Sequence, residues 1–267
     1  MDLAERYRKL GPQRFARWLL IKRIGKPIVR TIDRLMASQS LVGNPEVYDK
    51  GLFPWVADLE AAAPAIRAEL DRLLEHRERL PRFADIQPDQ DKINPDAGWK
   101  TFFFGGLGVR SEHNRELCPN TSRALDAIPN VELALFSILA PGLHIPRHAG
   151  VTKGLIRCHL ALKVPKDREK VVMHIGDTHF HWEEGKAVVF DDTFKHEVHN
   201  DTDEERVVLL LDTRRPMRWP GRVAFAITKA MLKASPFVRD SRKNQQRWEK
   251  QQGAGFDRPP AAVEALL

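Results

Sequence analysis

Apolar positions change their spacing along this chain, and the change divides it. Between residues 57 and 79, Ala, Leu and Ile recur at helical intervals among many Arg and Glu, which predicts one helix opened near Pro54 and stopped before Pro81. Residues 84–98 collect Asp85, Pro88, Asp89, Asp91, Asn94, Pro95, Asp96 and Gly98, turn formers that predict an exposed connection. WKTFFF at 99–104 then predicts a strand. From about residue 131 the texture becomes short runs of Val, Ile, Leu and Phe parted by Pro, Gly or Asp, at 131–139, 143–148, 155–164, 171–175, 186–190, 194–199 and 206–212. Strands at this spacing predict a mainly β fold with flanking helices, in which two antiparallel sheets face each other as a sandwich or jelly-roll barrel and can enclose a site.

Period-two alternation assigns faces within these strands. In 155–164, Ile156, Cys158, Leu160, Leu162 and Val164 share one apolar face, leaving Arg157 and His159 together on the other, which is either solvent or a polar pocket. Ser137 shares a face with Val131, Leu133, Leu135 and Leu139, so its hydroxyl points inward and needs a partner. Arg206 lies on the face of Val208 and Leu210 while the opposite face is apolar too. A guanidinium placed there wants an anion, either a carboxylate such as Asp191 or Asp192 or a ligand.

Length, composition and charge narrow the field. The 267 residues, 42% hydrophobic and 30% charged, suffice for a substantial core and exclude collagen and wholesale disorder. No apolar run approaches the roughly 18 residues needed to span a bilayer, and the start lacks a secretory signal. Two cysteines, Cys118 and Cys158, in no metal-binding spacing fit a reducing compartment, so the expected location is cytoplasmic, peripheral to the inner face of the membrane.

The net charge of +7 is concentrated at the ends: residues 1–34 carry +7 and 214–250 carry +9, against −8 for 35–213. Phe15, Trp18, Leu19, Leu20, Ile24 and Ile28 lie among basic residues in the first arm; Trp219, Val223, Phe225, Ile227, Met231 and Leu232 do so in the second. Such stretches suit an anionic membrane surface, or else cap the core with their apolar stripes. Nucleic acid ranks below both, because no reading motif is present. The expected organisation is a basic amphipathic arm over 1–40, a barrel domain with N-terminal helical support over 41–213, and a basic helical arm and tail over 214–267.

Six of the ten histidines fall between His144 and His181, with His196 and His199 just beyond. Taken singly, His148 between Pro146 and Gly150 reads as a loop histidine, and Arg157 with His159 as a solvated face. Read together, PGLHIPRHAGVTKGLIRCHLALKVP (141–165), WEEGKAVVFDDTFKHEVHN (182–200) and Arg206 within ERVVLLLD resemble the aspartyl/asparaginyl β-hydroxylase family of iron- and 2-oxoglutarate-dependent dioxygenases, over roughly residues 99–213.

That resemblance implies a double-stranded β-helix, a cupin-like jelly roll, with Fe(II) and 2-oxoglutarate as cofactors and dioxygen as co-substrate. It implies His148 and His196 as the catalytic iron ligands and Arg206 as the anchor of the 2-oxoglutarate carboxylate, with Ser137 beside it. Arg157 and His159 match paired basic residues that contact 2-oxoglutarate or a substrate carboxylate; Arg157 is assigned to a substrate anion and His159 to the near end of 2-oxoglutarate. Trp99 matches an aromatic wall. Most enzymes of the wider superfamily place an acid two residues after the first histidine; here that residue is Gly150, in keeping with a family that lacks the acid. Pairs such as His144 with His148, or His179 with His181, rank below His148 with His196 as metal ligands. The implied reaction is hydroxylation of an Asp- or Asn-type β-carbon in a peptide or amino acid. A lipid A-type acyl chain is the second substrate class, and a non-catalytic barrel binding a small acid the third reading.

Overall fold

The computed structural model describes residues 26–87, 98–106 and 108–252. Its first helices are α1 (Lys26–Ser38), α2 (Trp55–Ala61), α3 (Ala63–Leu74) and the single turn α4 (Phe83–Ile86), with a two-residue strand β1 (Val47–Tyr48) between α1 and α2. The single helix expected over 57–79 is thus two, and Pro64 is the reason. Without an N–H it cannot serve the carbonyl of Glu60, so the amide of Ala62 turns back onto Asp58 and Glu60. A fresh helix then starts with the proline in its first turn, where no donor is required. Residues 88–97 of the expected connection lie outside the described residues, and α4 occupies its beginning.

The β-rich part runs β2 (Trp99–Gly106), β3 (Val109–Arg110), α5 (Glu112–Leu117), α6 (Pro119–Ala127), β4 (Val131–Leu139), β5 (His144–His148), β6 (Leu155–Lys163), β7 (Val171–Ile175), β8 (Thr178–His181), β9 (Ala187–Phe190), β10 (His196–Asn200) and β11 (Arg206–Arg214). Each predicted strand is present. Seven strands form one antiparallel sheet in the order β1-β9-β6-β11-β4-β2-β3, and four form a second in the order β5-β10-β7-β8. The sheets face each other as a jelly roll, the double-stranded β-helix.

Alternation along the large sheet feeds two cores. Leu135, Leu139, Val208, Leu210 and Phe190 face the small sheet's Ile145, Met173, Ile175 and Val198. The other face, with Ile156, Cys158, Leu160, Val207, Leu209 and Leu211, packs under α2 and α3 through Val56, Leu59, Ile66 and Leu70. The strongly apolar β11 is therefore buried on both sides, as its unbroken run of Val and Leu requires.

Two further helices, α7 (Trp219–Ala234) and α8 (Pro236–Gln252), follow. α7 buries Ala224 and Phe225 beside Met36 of α1, and α8 sends Trp248 into the outer core, where its indole N–H donates to the carbonyl of Arg79 at 3.0 Å. The basic stretch after Arg214 is thus packed on the barrel. Residues 1–25, most of the basic N-terminal arm, and 253–267 lie outside the described residues.

Candidate active site

All seven side chains singled out in the sequence line one cavity of about 200 Å³ between the sheets. The large sheet contributes Trp99 from β2, Ser137 from β4, Arg157 and His159 from β6 and Arg206 from β11; the small sheet contributes His148 from β5 and His196 from β10. The hydroxyl of Ser137 has the partner its burial demands, accepting the indole N–H of Trp99 at 2.9 Å. Trp99 in turn stacks on Phe83 of α4 with ring centroids 4.3 Å apart, forming an aromatic wall.

His148 reaches the cavity through a bulge. Strict alternation from the inward Ile145 would turn His148 outward. Between the pairs Val198↔Ile145 and His196↔His148, however, β5 advances three residues while β10 advances two. The extra residue inverts the alternation and aims His148 at His196, a common use of bulges beside active sites. The two imidazoles lie with centroids 4.2 Å apart. The Nδ1–H of His148 donates to the carbonyl of Pro146 at 2.8 Å, and the Nδ1–H of His196 to the carbonyl of Phe194 at 2.9 Å. A carbonyl only accepts, so each Nδ1 carries the proton and each Nε2 keeps a lone pair. His144 points to the other face of the same strand, which removes the pair His144 with His148 as a joint metal site.

Both imidazoles are held neutral. Burial, with His148 alongside, pushes His196 down to about 3, and burial with Arg157 nearby lowers His148. His159 is also driven well below its usual value, by burial and by Arg206, and neither of its ring nitrogens has a hydrogen-bond partner. A folded pKa below the unfolded one means that the unfolded chain binds the extra proton, so stability falls as pH drops from about 6.5 toward 3. For the metal-stripped protein, His196 alone is expected to cost about 2 kcal/mol between pH 7 and 5. Urea denaturation at the two pH values checks this, and a pH dependence unchanged in His196→Gln contradicts it.

Arg206 is buried and makes no ion pair among the described residues. Its Nε and Nη1 atoms lack hydrogen-bond partners, its guanidinium carbon lies 4.6 Å from the ring centre of Trp182, and burial lowers its pKa to about 9. The carboxylates that could have neutralised it are taken: Asp191 binds Lys153 and Arg215, and Asp192 binds Arg157. Arg206 is a cation waiting for an anion.

Arg157, expected to meet a substrate anion, differs from Arg206. It is neither solvated nor free: Nε and Nη2 grip both oxygens of Asp212 at 2.7 and 2.8 Å, and Nη2 lies 3.0 Å from Asp192. Two carboxylates already neutralise it. Burial raises the Asp192 carboxyl to about 6 despite the pull of Arg157. Asp192 also explains Gly150: a Cβ on that glycine would lie 2.2 Å from Asp192 Oδ1, so this carboxylate fills the space of any side chain there.

Among known families, residues 60–216 match aspartyl/asparaginyl beta-hydroxylase. The chain belongs to that family. It is 42% identical over 223 residues to the ornithine lipid ester-linked acyl 2-hydroxylase of Rhizobium tropici, covering 84% of this chain and 79% of that one. Mouse aspartate beta-hydroxylase domain-containing protein 2 is 34% identical over 238 residues, covering 80% of this chain and 65% of its own length. Human aspartyl/asparaginyl beta-hydroxylase is 30% identical over 138 residues, covering half of this chain but 18% of that protein. Among solved structures, a Pseudomonas putida prolyl-4-hydroxylase aligns over 57% of this chain and 87% of its own with 19% identity and a TM-score of 0.38.

Membership in a hydroxylase family makes the cavity a candidate active site. Several of its parts were not singled out in the sequence. Asp212 could have been, since it shares the face of Arg206, Val208 and Leu210 on one strand. Trp182 under Arg206, and Leu232, Val238 and Gln245 lining the cavity from α7 and α8, carry no signal in their local sequence.

Proposed function

We propose that this chain is an Fe(II)- and 2-oxoglutarate-dependent hydroxylase acting on carbon 2 of a lipid acyl chain, which reverses the order of the two substrate classes expected from sequence. The unpaired, buried Arg206 is the observation that carries the cofactor reading. A dicarboxylate of which one end neutralises that guanidinium and the other approaches two neutral imidazoles satisfies groups that are otherwise orphaned. His148 and His196 would hold the iron through Nε2, a donor set that suits Fe(II) and leaves coordination positions open. Iron, 2-oxoglutarate and dioxygen together supply the chemistry that oxidises an unactivated C–H, releasing succinate and carbon dioxide. The protein would aim it: Arg206 would take the far carboxylate, Ser137 would add its hydroxyl, and His159 lies at the flank.

Two features favour an acyl substrate. Arg157 is neutralised by Asp192 and Asp212, and the cavity walls are largely apolar, including Phe83, Ile86, Phe103, Leu133, Leu232 and Val238 beside Arg206 and Arg242. The other feature is α7, whose Leu232 lines the cavity while Trp219, Val223, Ile227 and Met231 form an exposed stripe at four-residue spacing. The helix has no acid, and Arg222 and Lys233 are exposed with the stripe, a composition suited to an anionic membrane surface. No helix among the described residues is long and apolar enough to cross a membrane.

The experiment is incubation with Fe(II), 2-oxoglutarate and either ornithine-containing lipid extract or Asp/Asn peptides, followed by mass spectrometry. One added oxygen on the acyl chain is expected, and oxygen added to peptide alone contradicts the substrate reading. The double variant Trp219→Asp, Ile227→Asp is expected to lose sedimentation with anionic vesicles at unchanged melting temperature, since both residues are exposed. Equal sedimentation would reject the surface.

A further inference from the structure

Seven of the ten histidines do not line the cavity, and five of these stand together. His144, His174, His179, His181 and His199 all stand on the outer face of the four-stranded sheet, where neighbouring rings touch: His144 and His199 stack with centroids 3.9 Å apart, His174 meets His199 at 5.7 Å and His179 at 5.9 Å. Glu197 is the acid among them. It precedes His199 by two residues, hence shares its face, and it pairs across the sheet with His174. Its Oε2 lies 3.5 Å from Nε2 of His144 and 4.0 Å from Nε2 of His199.

We propose that His144, Glu197 and His199 form a second metal site, for Zn(II), on the face of the small sheet turned away from the cavity. One ligand atom from each lies within 4.8 Å of the other two. A tetrahedral zinc with bonds of about 2.0–2.1 Å holds neighbouring donors about 3.3 Å apart, so closure asks for rotamer adjustments and not for backbone movement. The backbone is already committed, because His199 and His144 are directly paired across β10 and β5. All three side chains are open to solvent, which gives the ion an entry path, and imidazole with carboxylate is a donor set that zinc accepts. His174 stands beside His199, with ring centroids 5.7 Å apart, outside this three-residue group.

The site is independent of the cavity reading, since none of its residues lines the cavity. It sits, however, on the strands that present His148 and His196 inward. An ion joining β5 to β10 from outside stabilises the folded chain by mass action and fixes the pairing that sets the distance between the inner imidazoles.

The test uses the full chain freed of any purification tag and carrying His148→Ala and His196→Ala, so that the cavity cannot contribute. After chelator treatment, titration with Zn(II) in a calorimeter is expected to show one saturable ion in the micromolar range or tighter, with a rise in melting temperature. Adding Glu197→Gln is expected to weaken it by at least about 10-fold, and adding His144→Ala with His199→Ala to abolish it. Absence of saturable binding overturns the proposal, as does binding that survives those changes but disappears with His174→Ala, His179→Ala and His181→Ala. Should the cavity variant fold poorly, elemental analysis of otherwise unaltered protein serves instead: His144→Ala with His199→Ala must carry one zinc fewer, and an equal count overturns the assignment.

Discussion

Arg206→Met is expected to make the protein more stable and to raise its 2-oxoglutarate requirement steeply. In the folded chain without ligand this guanidinium is buried, its Nε and Nη1 make no hydrogen bond and no carboxylate pairs with it. Replacing a buried ionic group by an apolar side chain of similar volume gains about 1–4 kcal/mol, and Met fits beneath the ring of Trp182. The same change removes the buried, unpaired cation that faces the cavity from β11. Truncating one partner of a buried charge pair costs about 2–5 kcal/mol, so the 2-oxoglutarate requirement should rise roughly 30- to 5000-fold. Thermal melts of ligand-free protein and succinate release across a 2-oxoglutarate series check the two halves. If Arg206 instead bore only a structural load, Met would lower the melting temperature and leave the 2-oxoglutarate dependence intact.

Gly150→Asp is expected to unfold the site and not to restore a third metal ligand. The new Cβ would sit 2.2–2.3 Å from the carboxylate atoms of Asp192, where a real Cβ cannot stand. Overpacking alone costs about 1–3 kcal/mol, and a second carboxylate against a buried one adds like-charge repulsion. Relief by swinging the Asp192 carboxylate away would break its ion pair with Arg157. Metal affinity should therefore fall together with stability. The double variant Gly150→Asp, Asp192→Gly vacates the space and should recover much of the lost stability, a coupling that a double-mutant cycle measures. Gly150→Asp alone with wild-type stability would show that the carboxylate of Asp192 does not occupy that space.

Much of this site was legible because strands obey a strict period. Alternation placed Ser137 and Arg206 inward and put Arg157 and His159 together on a face that was either solvent or a polar pocket, and all four line the cavity. The period was uninformative where it breaks. His148 reads as a loop residue because the bulge that turns it inward is a matter of pairing between β5 and β10, which no local pattern displays. Charge pairing was not legible, because the partners of Arg157, Asp192 and Asp212, stand on other segments of the chain and are brought to it by the fold. The helical elements fared worse. Pro64 splits a helix that periodicity alone would continue, while α5 and α6 bury few side chains and leave a weak periodic trace.

Anaerobic addition of 2-oxoglutarate to Fe(II)-loaded protein, read by visible absorption, addresses the convergence of His148, His196 and Arg206 most directly, because the charge-transfer band of an iron–2-oxo acid chelate requires both partners at one place. The band should appear with wild-type protein and with the His144→Ala, His199→Ala variant. It should vanish in His196→Ala and, at the same 2-oxoglutarate concentration, in Arg206→Met. A wild-type protein without the band, or a His196→Ala variant that keeps it, would contradict the assignment of the cavity as an iron and 2-oxoglutarate centre.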